Sequence, residues 1–303
     1  MILYYFTFIF LFICFISKSF CYKGFTIDTQ GKNVVTTKVT NQGDCSSVAF
    51  TEIGTLIKYK SDSSIISTKK LSNSNLGTEY TQSSFICQYT NNELVLTRDK
   101  KIFKITLNTN GGDSITYVGQ ESQGNIDYLH CNMNKYIYTY LTDASKKHNA
   151  KTSDNKSISG ALQSNEILSS SCFLVDSSLA LCIIIIKGEK KLKYYYHNLD
   201  SSSTNNGELD ISNGIYEIKD SIIKHYSNNE IILCLSAKPA LISDIFFYCY
   251  KLNADTNTKQ LSQINTDNPR FSSIDKITDE RNYCQLEKLS GSNLYVSICL
   301  CYY

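Results

Sequence analysis

Residues Glu93 to Leu107 read ELVLTRDKKIFKITL, two runs of apolar and β-branched residues with Asp99-Lys100-Lys101 near their midpoint. Short strand-forming runs flanking a charged turn predict a β-hairpin. Cys182 to Tyr196, CIIIIKGEKKLKYYY, has the same form and predicts a second hairpin turning around Gly188. Working outward, Val34 to Val39, Tyr136 to Tyr140, Ile231 to Leu233 and Ile245 to Tyr250 are similar runs. All are bounded by Asn, Asp, Gly or Ser, which is how strands and their turns read. No segment sustains a 3.6-residue apolar period between caps, so the predicted fold class is all-β.

The chain has 303 residues, 42% hydrophobic, with a net charge of +2, 22 Tyr, no Trp and two Pro. That apolar content supports a real core. So small a net charge, with the Lys residues scattered, argues against nucleic acid or an anionic lipid surface as partner. Residues Ile2 to Ile16 are uncharged and almost wholly apolar, and Ser17-Lys18-Ser19 follow them. This suits a signal peptide (1–21), cleaved after Ser19 or Cys21, better than a membrane span, which needs ~20 apolar residues. Beyond it no stretch is long enough to span a bilayer. The final Leu300-Cys301-Tyr302-Tyr303 does not read as a lipid-anchor tail. The expected location is extracellular, with any attachment to a cell surface made through a partner, and release from a secretory organelle is compatible with it.

Thr142 to Glu166 is polar and poor in strand formers, and it divides the mature chain nearly in half. It reads as an interdomain linker, placed at 151–167, between domains at 22–150 and 168–303. It also carries the sequon Asn155-Lys156-Ser157, an expected glycosylation site. A second organisation competes with two domains. Cys45, Cys87, Cys131 and Cys172 recur at a period near 42 residues, each opening or preceding a strand pair. Several short strands per unit at that period is how a six- or seven-bladed β-propeller reads.

There are 12 cysteines. Cys14 lies in the signal core, so ten or eleven remain, a density that in a secreted protein predicts a disulfide framework. If eleven remain, one is left for an intermolecular bridge. Metal binding is not expected, because there is no CxxC pair and His130, His148, His197 and His225 are scattered singly. Cys299 and Cys301 lie two apart in a strand-like run, so they share a face and should each bond elsewhere.

The order of cysteines in the second half, an early pair (Cys172, Cys182), a middle pair (Cys234, Cys249) and a terminal Cys299-x-Cys301, resembles the six-cysteine domain of apicomplexan surface proteins. The resemblance covers about residues 168–303 and departs from the family where Leu235, not Pro, follows Cys234. It implies a β-sandwich with bridges Cys172–Cys182, Cys234–Cys301 and Cys249–Cys299. It makes the first half, with Cys45, Cys87 and Cys131, a degenerate copy. Cys284 and Cys21 are then the candidates for an intermolecular bridge, and a disulfide-linked, membrane-anchored protein is a possible partner. The implied function is that of a subunit of a parasite surface complex used in host-cell (erythrocyte) adhesion or invasion. The abundance of Asn, Ile, Lys and Tyr over Arg fits the AT-rich genome of such an organism.

No catalytic residues stand out. There is no G-x-S-x-G, no phosphate-binding loop and no metal-binding helix. Gly111-Gly112-Asp113 is only a turn, and Asp279-Glu280 reads as surface charge. The expected function is therefore non-enzymatic protein binding without a cofactor. The alternatives are a secreted propeller binding protein and, less favoured, a propeller hydrolase. Tyr302, Tyr303 and Tyr194 to Tyr196 are candidate contact residues, since interfaces favour Tyr. A strand would equally turn alternate members of the Tyr194–Tyr196 run into the core.

Overall fold

In a computed structural model the chain forms consecutive antiparallel sheets, each made from neighbouring stretches of sequence. The structure describes residues 34–300, leaving out 43–44, 52, 61–63, 77–83, 109–111, 143–146, 164–166, 212–214, 228, 240–245, 264–269, 272–282 and 289–294. The first sheet is β1 (Val34–Gln42), β2 (Cys45–Thr51), β3 (Thr55–Tyr59) and β4 (Ile65–Lys70), followed by a short 3₁₀ turn, Ser74–Leu76. The second is β5 (Ser84–Thr90), β6 (Glu93–Arg98), β7 (Lys101–Thr106) and β8 (Ser114–Gln120). The third is β9 (Ile126–Asn132), β10 (Lys135–Leu141), β11 (Lys147–Thr152) and β12 (Ser157–Gln163). The fourth is β13 (Ile167–Leu174), β14 (Leu179–Ile186), β15 (Lys191–Asn198) and β16 (Thr204–Asp210). The fifth is β17 (Ile215–Ser227), β18 (Glu230–Pro239), β19 (Phe246–Asp255) and β20 (Gln260–Gln263), with β21 (Arg270–Phe271) also paired to β19. The sixth, among the described residues, is the hairpin β22 (Tyr283–Lys288) and β23 (Tyr295–Leu300).

The first strands of these sheets pack side by side in sequence order, β1 on β5, β5 on β9, β9 on β13, β13 on β17 and β17 on β22. β22 then packs on β1, which closes the ring. Meander sheets arranged radially about a closed ring of first strands make a six-bladed β-propeller. The fold is therefore all-β in the propeller form, and the paired sandwich domains implied by the cysteine order give way to it.

The burial pattern shows why. In β14 every residue from Leu179 to Ile186 is buried. Leu181, Ile183 and Ile185 join a core with Leu233, Leu235 and Leu252 of the fifth blade. Cys182, Ile184 and Ile186 join another core with Ile137, Ala150 and Ile158 of the third blade. Successive side chains of a strand point to opposite faces, so this strand is covered on both sides. In a two-sheet sandwich one face of each sheet meets solvent and the sequence alternates. The same division occurs in β6, where Leu94 and Leu96 face the first blade and Val95 the third. In β10, Tyr136, Tyr138 and Tyr140 face the second blade and Ile137 the fourth.

The fourth strands lie at the circumference and alternate. In β4 and β8 half-buried or buried residues take turns with exposed ones. This corrects the linker placed at 151–167. That stretch contains the end of β11, a turn, and β12, the outermost strand of the third blade. Its polarity is that of an outer strand and its turn. The two predicted hairpins are present: Arg98 pairs with Lys101 across the two-residue turn Asp99-Lys100, and β14 turns into β15 at Gly188, whose φ is 80°. Gly meets a positive φ there without the Cβ penalty.

Double-faced burial makes a specific prediction. Ile183→Ala and Ile184→Ala, adjacent residues facing opposite blades, are each expected to lower the unfolding free energy by about 2–5 kcal/mol. Chemical denaturation of the two variants checks this. A loss confined to one of them, with the other within ~0.5 kcal/mol of the parent, would show a sheet covered on one face.

Candidate functional site

Because each blade is an antiparallel meander, turns between second and third strands emerge on the same face as the connections between blades. On that face Ile53 and Gly54 of the β2–β3 turn and the residues from Lys70, at the end of β4, to Leu76 border an open cavity of about 490 Å³. Leu71 and Leu76, both buried, form its apolar lining with Ile53, which is 51% exposed. Lys70, Ser72, Asn73 and Ser74 complete the wall.

Backbone hydrogen bonds set its shape. Gly54 N–H donates to Thr51 O at 3.0 Å, Leu71 N–H to Gly54 O at 2.9 Å and Leu76 N–H to Asn73 O at 3.0 Å. Side chains anchor the wall to the second blade. Asn73 Nδ2 donates to Ile115 O at 3.4 Å, and Lys101 Nζ to Asn75 O at 2.8 Å. Gly54 has φ 79°, and a Cβ there would sit 3.3 Å from Leu71 O and 3.7 Å from Leu76 Cδ1. A larger residue would be strained and would press on the cavity lining. The arrangement can take up an apolar group and place a cation, Lys70, which is exposed, at the rim.

A second concentration of polar groups lies where the third, fourth and fifth blades meet. Asp127 on β9 accepts hydrogen bonds from the hydroxyls of Thr139 on β10 and, at 2.8 Å, Ser170 on β13. Ser169 and Ser221 share a hydrogen bond between β13 and β17, and Tyr128 donates to Ile223 O at 3.0 Å. Farther out, His148 Nδ1 and Tyr195 Oη lie 2.9 Å apart, both buried. Burial pushes the Asp127 carboxyl up to about 6 and the His148 imidazole down to about 3. His148 is therefore neutral near pH 7. Between the second and third blades, Glu121 takes hydrogen bonds from Lys151 at 2.8 Å and from Tyr138 at 3.1 Å. Burial works against its charge, yet these bonds and the Lys151 cation hold its carboxyl below the ordinary value.

These groups join blades to one another. Asp127 meets two hydroxyls and no cation in these contacts, and Ser170 bonds to the carboxylate with no base interposed. Among the described residues no three His, Cys, Asp or Glu side chains converge as a metal site would require.

The residues singled out from sequence are dispersed. Cys87 on β5 is bonded to Cys131 on β9, joining first strands of adjacent blades, and Cys172 is bonded to Cys182 within the fourth blade. Cys234 lies opposite Cys249 in the β18–β19 register, and Cys284 opposite Cys299 in β22–β23. Of the implied bridges, Cys249–Cys299 would join different blades, and Cys234–Cys301 falls on a residue outside the described ones. Cys45 opens β2, across from Gln42. Asn155 is exposed in the β11–β12 turn with φ 62°. Tyr194, Tyr195 and Tyr196 are all buried, so none is a contact residue. Residues 1–21 (with Cys14 and Cys21), Cys301, Tyr302 and Tyr303 lie outside the described residues. Sequence reading missed the cavity, whose apolar lining, Leu71 and Leu76, lies in the connection after β4.

No protein-family model matches the chain, and no curated protein sequence matches it. Among solved structures it is similar to the β-propeller domain of Vanderwaltozyma polyspora Nup133, at 10% identity and a TM-score of 0.44, covering 87% of this chain and 77% of that one. It is also similar to Kluyveromyces lactis Hsv2, at 9% identity and a TM-score of 0.32, covering 78% of this chain and 98% of that one. The propeller assignment rests on the strand order and ring packing described above.

The raised Asp127 pKa has a signed consequence. Its carboxyl binds a proton more tightly in the folded chain, near 6, than at its ordinary 3.8. Its contribution to stability is full below that ordinary value and is lost as pH rises through about 6. Asp127→Asn is expected to remove this loss, so its urea midpoint should gain on the parent's between about pH 4 and 7 and hold that gain above. A difference independent of pH would show that Asp127 keeps its ordinary pKa on folding.

Proposed function

We propose that this chain is a non-enzymatic binding protein, a β-propeller that holds an extended segment of a partner protein in the cavity of its first blade. The observation that carries the reading is the composition of that cavity: Leu71 and Leu76 inside, a half-exposed Ile53 at the edge and Lys70 at the rim. Monomeric soluble proteins leave few large apolar side chains exposed beside an open apolar pocket, and such places mark binding sites. An apolar side chain of the partner would fill the pocket, with a neighbouring carboxylate meeting Lys70. Backbone hydrogen bonds of Gly54, Leu71 and Leu76 tie the wall together, which would limit the ordering cost of binding at these residues.

Two disulfides support an oxidising, extracellular setting for this activity. The narrower role, a subunit of a parasite surface complex in host-cell adhesion or invasion with a disulfide-linked membrane-anchored partner, is part of the proposal only through the cysteine-order resemblance. Glycosylation at Asn155 is compatible with that setting, because the site is an exposed turn remote from the cavity loops in sequence.

Selection of displayed random peptides on the whole protein tests the reading. Recovered peptides should carry an apolar residue beside Asp or Glu. Ile53→Asp should weaken their binding by tenfold or more, about 1.4 kcal/mol, with an unchanged denaturation midpoint, since a half-exposed residue contributes within ~0.5 kcal/mol to stability. Peptides that bind Ile53→Asp and Lys70→Glu as tightly as the parent would overturn it.

A further inference from the structure

Six of the 12 cysteines occupy three directly opposed positions on neighbouring antiparallel strands. Cys172 faces Cys182 in β13–β14, and these two are bonded with a Cα–Cα distance of 4.0 Å. Cys234 faces Cys249 in β18–β19, with unbroken register from Glu230↔Asn253 to Ala237↔Phe246. Cys284 faces Cys299 in β22–β23, again with unbroken register from Tyr283↔Leu300 to Lys288↔Tyr295.

Directly opposed residues of an antiparallel pair have Cα atoms about 4.5 or 5.5 Å apart. Both spacings lie within the roughly 4.4–6.8 Å that a disulfide spans. The bonded pair in the fourth blade shows that this chain closes such a bridge across an antiparallel register. From this recurrence we infer that Cys234–Cys249 and Cys284–Cys299 are also disulfides, so that the fourth, fifth and sixth blades are each stapled across two adjacent strands.

Each bond forms by thiol–disulfide exchange. A cysteine thiolate attacks a disulfide donor, low-molecular-weight or protein, and the second cysteine displaces the donor's remaining half. Two thiols lose two protons and two electrons, and the donor leaves as two thiols. The same class of oxidant supplies Cys87–Cys131 and Cys172–Cys182, so no further co-reactant is needed.

The sixth-blade bond has a particular position. β22 is the strand that meets both β17 and β1 and closes the ring. Among the described residues its sheet partner is β23 alone. A Cys284–Cys299 bridge therefore clasps the hairpin on which closure depends.

The test is disulfide mapping of the whole protein with free thiols alkylated before digestion by trypsin and chymotrypsin under non-reducing conditions. Lys288 and the Phe246-Phe247-Tyr248 run give cleavage points between the members of each pair. The expected peptides link Cys234 to Cys249 and Cys284 to Cys299. Alkylated Cys234 or Cys284, or a link from Cys234 or Cys249 to the terminal cysteines, would overturn the inference. Cys284→Ser gives an independent readout that survives partial misfolding: one new alkylated thiol should appear, at Cys299. A new thiol elsewhere would overturn the sixth-blade assignment.

Discussion

Coverage of each blade on both faces by its neighbours governs the rest of this molecule. A sheet with no solvent face cannot alternate apolar and polar residues, so its middle strands become continuous apolar runs such as Leu179–Ile186, every one buried. The hydrophobic effect then acts twice per strand, once toward each neighbouring blade. Polar groups in such strands must find partners across a blade boundary or bear the cost of desolvation. The contacts of Asp127 with Ser170, and of Lys58 with Asp113 at 2.9 Å, meet that requirement. They also fix how adjacent blades sit, because hydroxyl and carboxylate partners tolerate less sliding than methyl groups do.

The same constraint explains what was legible in the sequence and what was not. Strands and hairpins were, since β-branched runs around Asp99-Lys100 and Gly188 specify local pairing whatever lies above or below the sheet. The arrangement of the sheets was harder to read. Thr142 to Glu166 passed for a linker because an outermost strand and a linker are both polar, and only the contacts of β11 with β10 separate them. The run Ile183 to Ile186 held the decisive cue, as four consecutive apolar residues fit a sheet covered on both faces and not a sandwich with one wet face. Cysteine order pointed to the sandwich, while cysteine spacing pointed to the propeller. Spacing was the better guide because it reports the length of the repeating unit, whereas order is shared by any chain with paired cysteines on successive hairpins.

The cavity was not legible because it is made by two segments, Ile53-Gly54 and Lys70 to Leu76, that only the meander brings together. Its individual residues are ordinary turn and loop residues. Gly54 acquires meaning only when Leu71 O is found 3.3 Å from where its Cβ would be. The buried aromatic run Tyr194–Tyr196 is the converse case. Its residues invite a reading as an adhesive patch, but β15 lies within the fourth blade and each ring is enclosed.

In the first five blades each sheet is drawn from one contiguous stretch of chain, with no strand exchanged between sheets. During synthesis, each of these blades would have all of its strands as soon as its own stretch has left the ribosome. The newest blade would nevertheless present a bare apolar flank until the next one arrives. The nascent chain would carry that sticky flank forward from the Val95 side of the second blade, which faces the third, to the fifth blade. Only when Tyr283 to Lys288 reached the starting strand would the flank disappear. Release of the chain a few dozen residues early would leave one side of the fifth blade open, so truncation near the carboxyl terminus should be more prone to aggregation than its size implies.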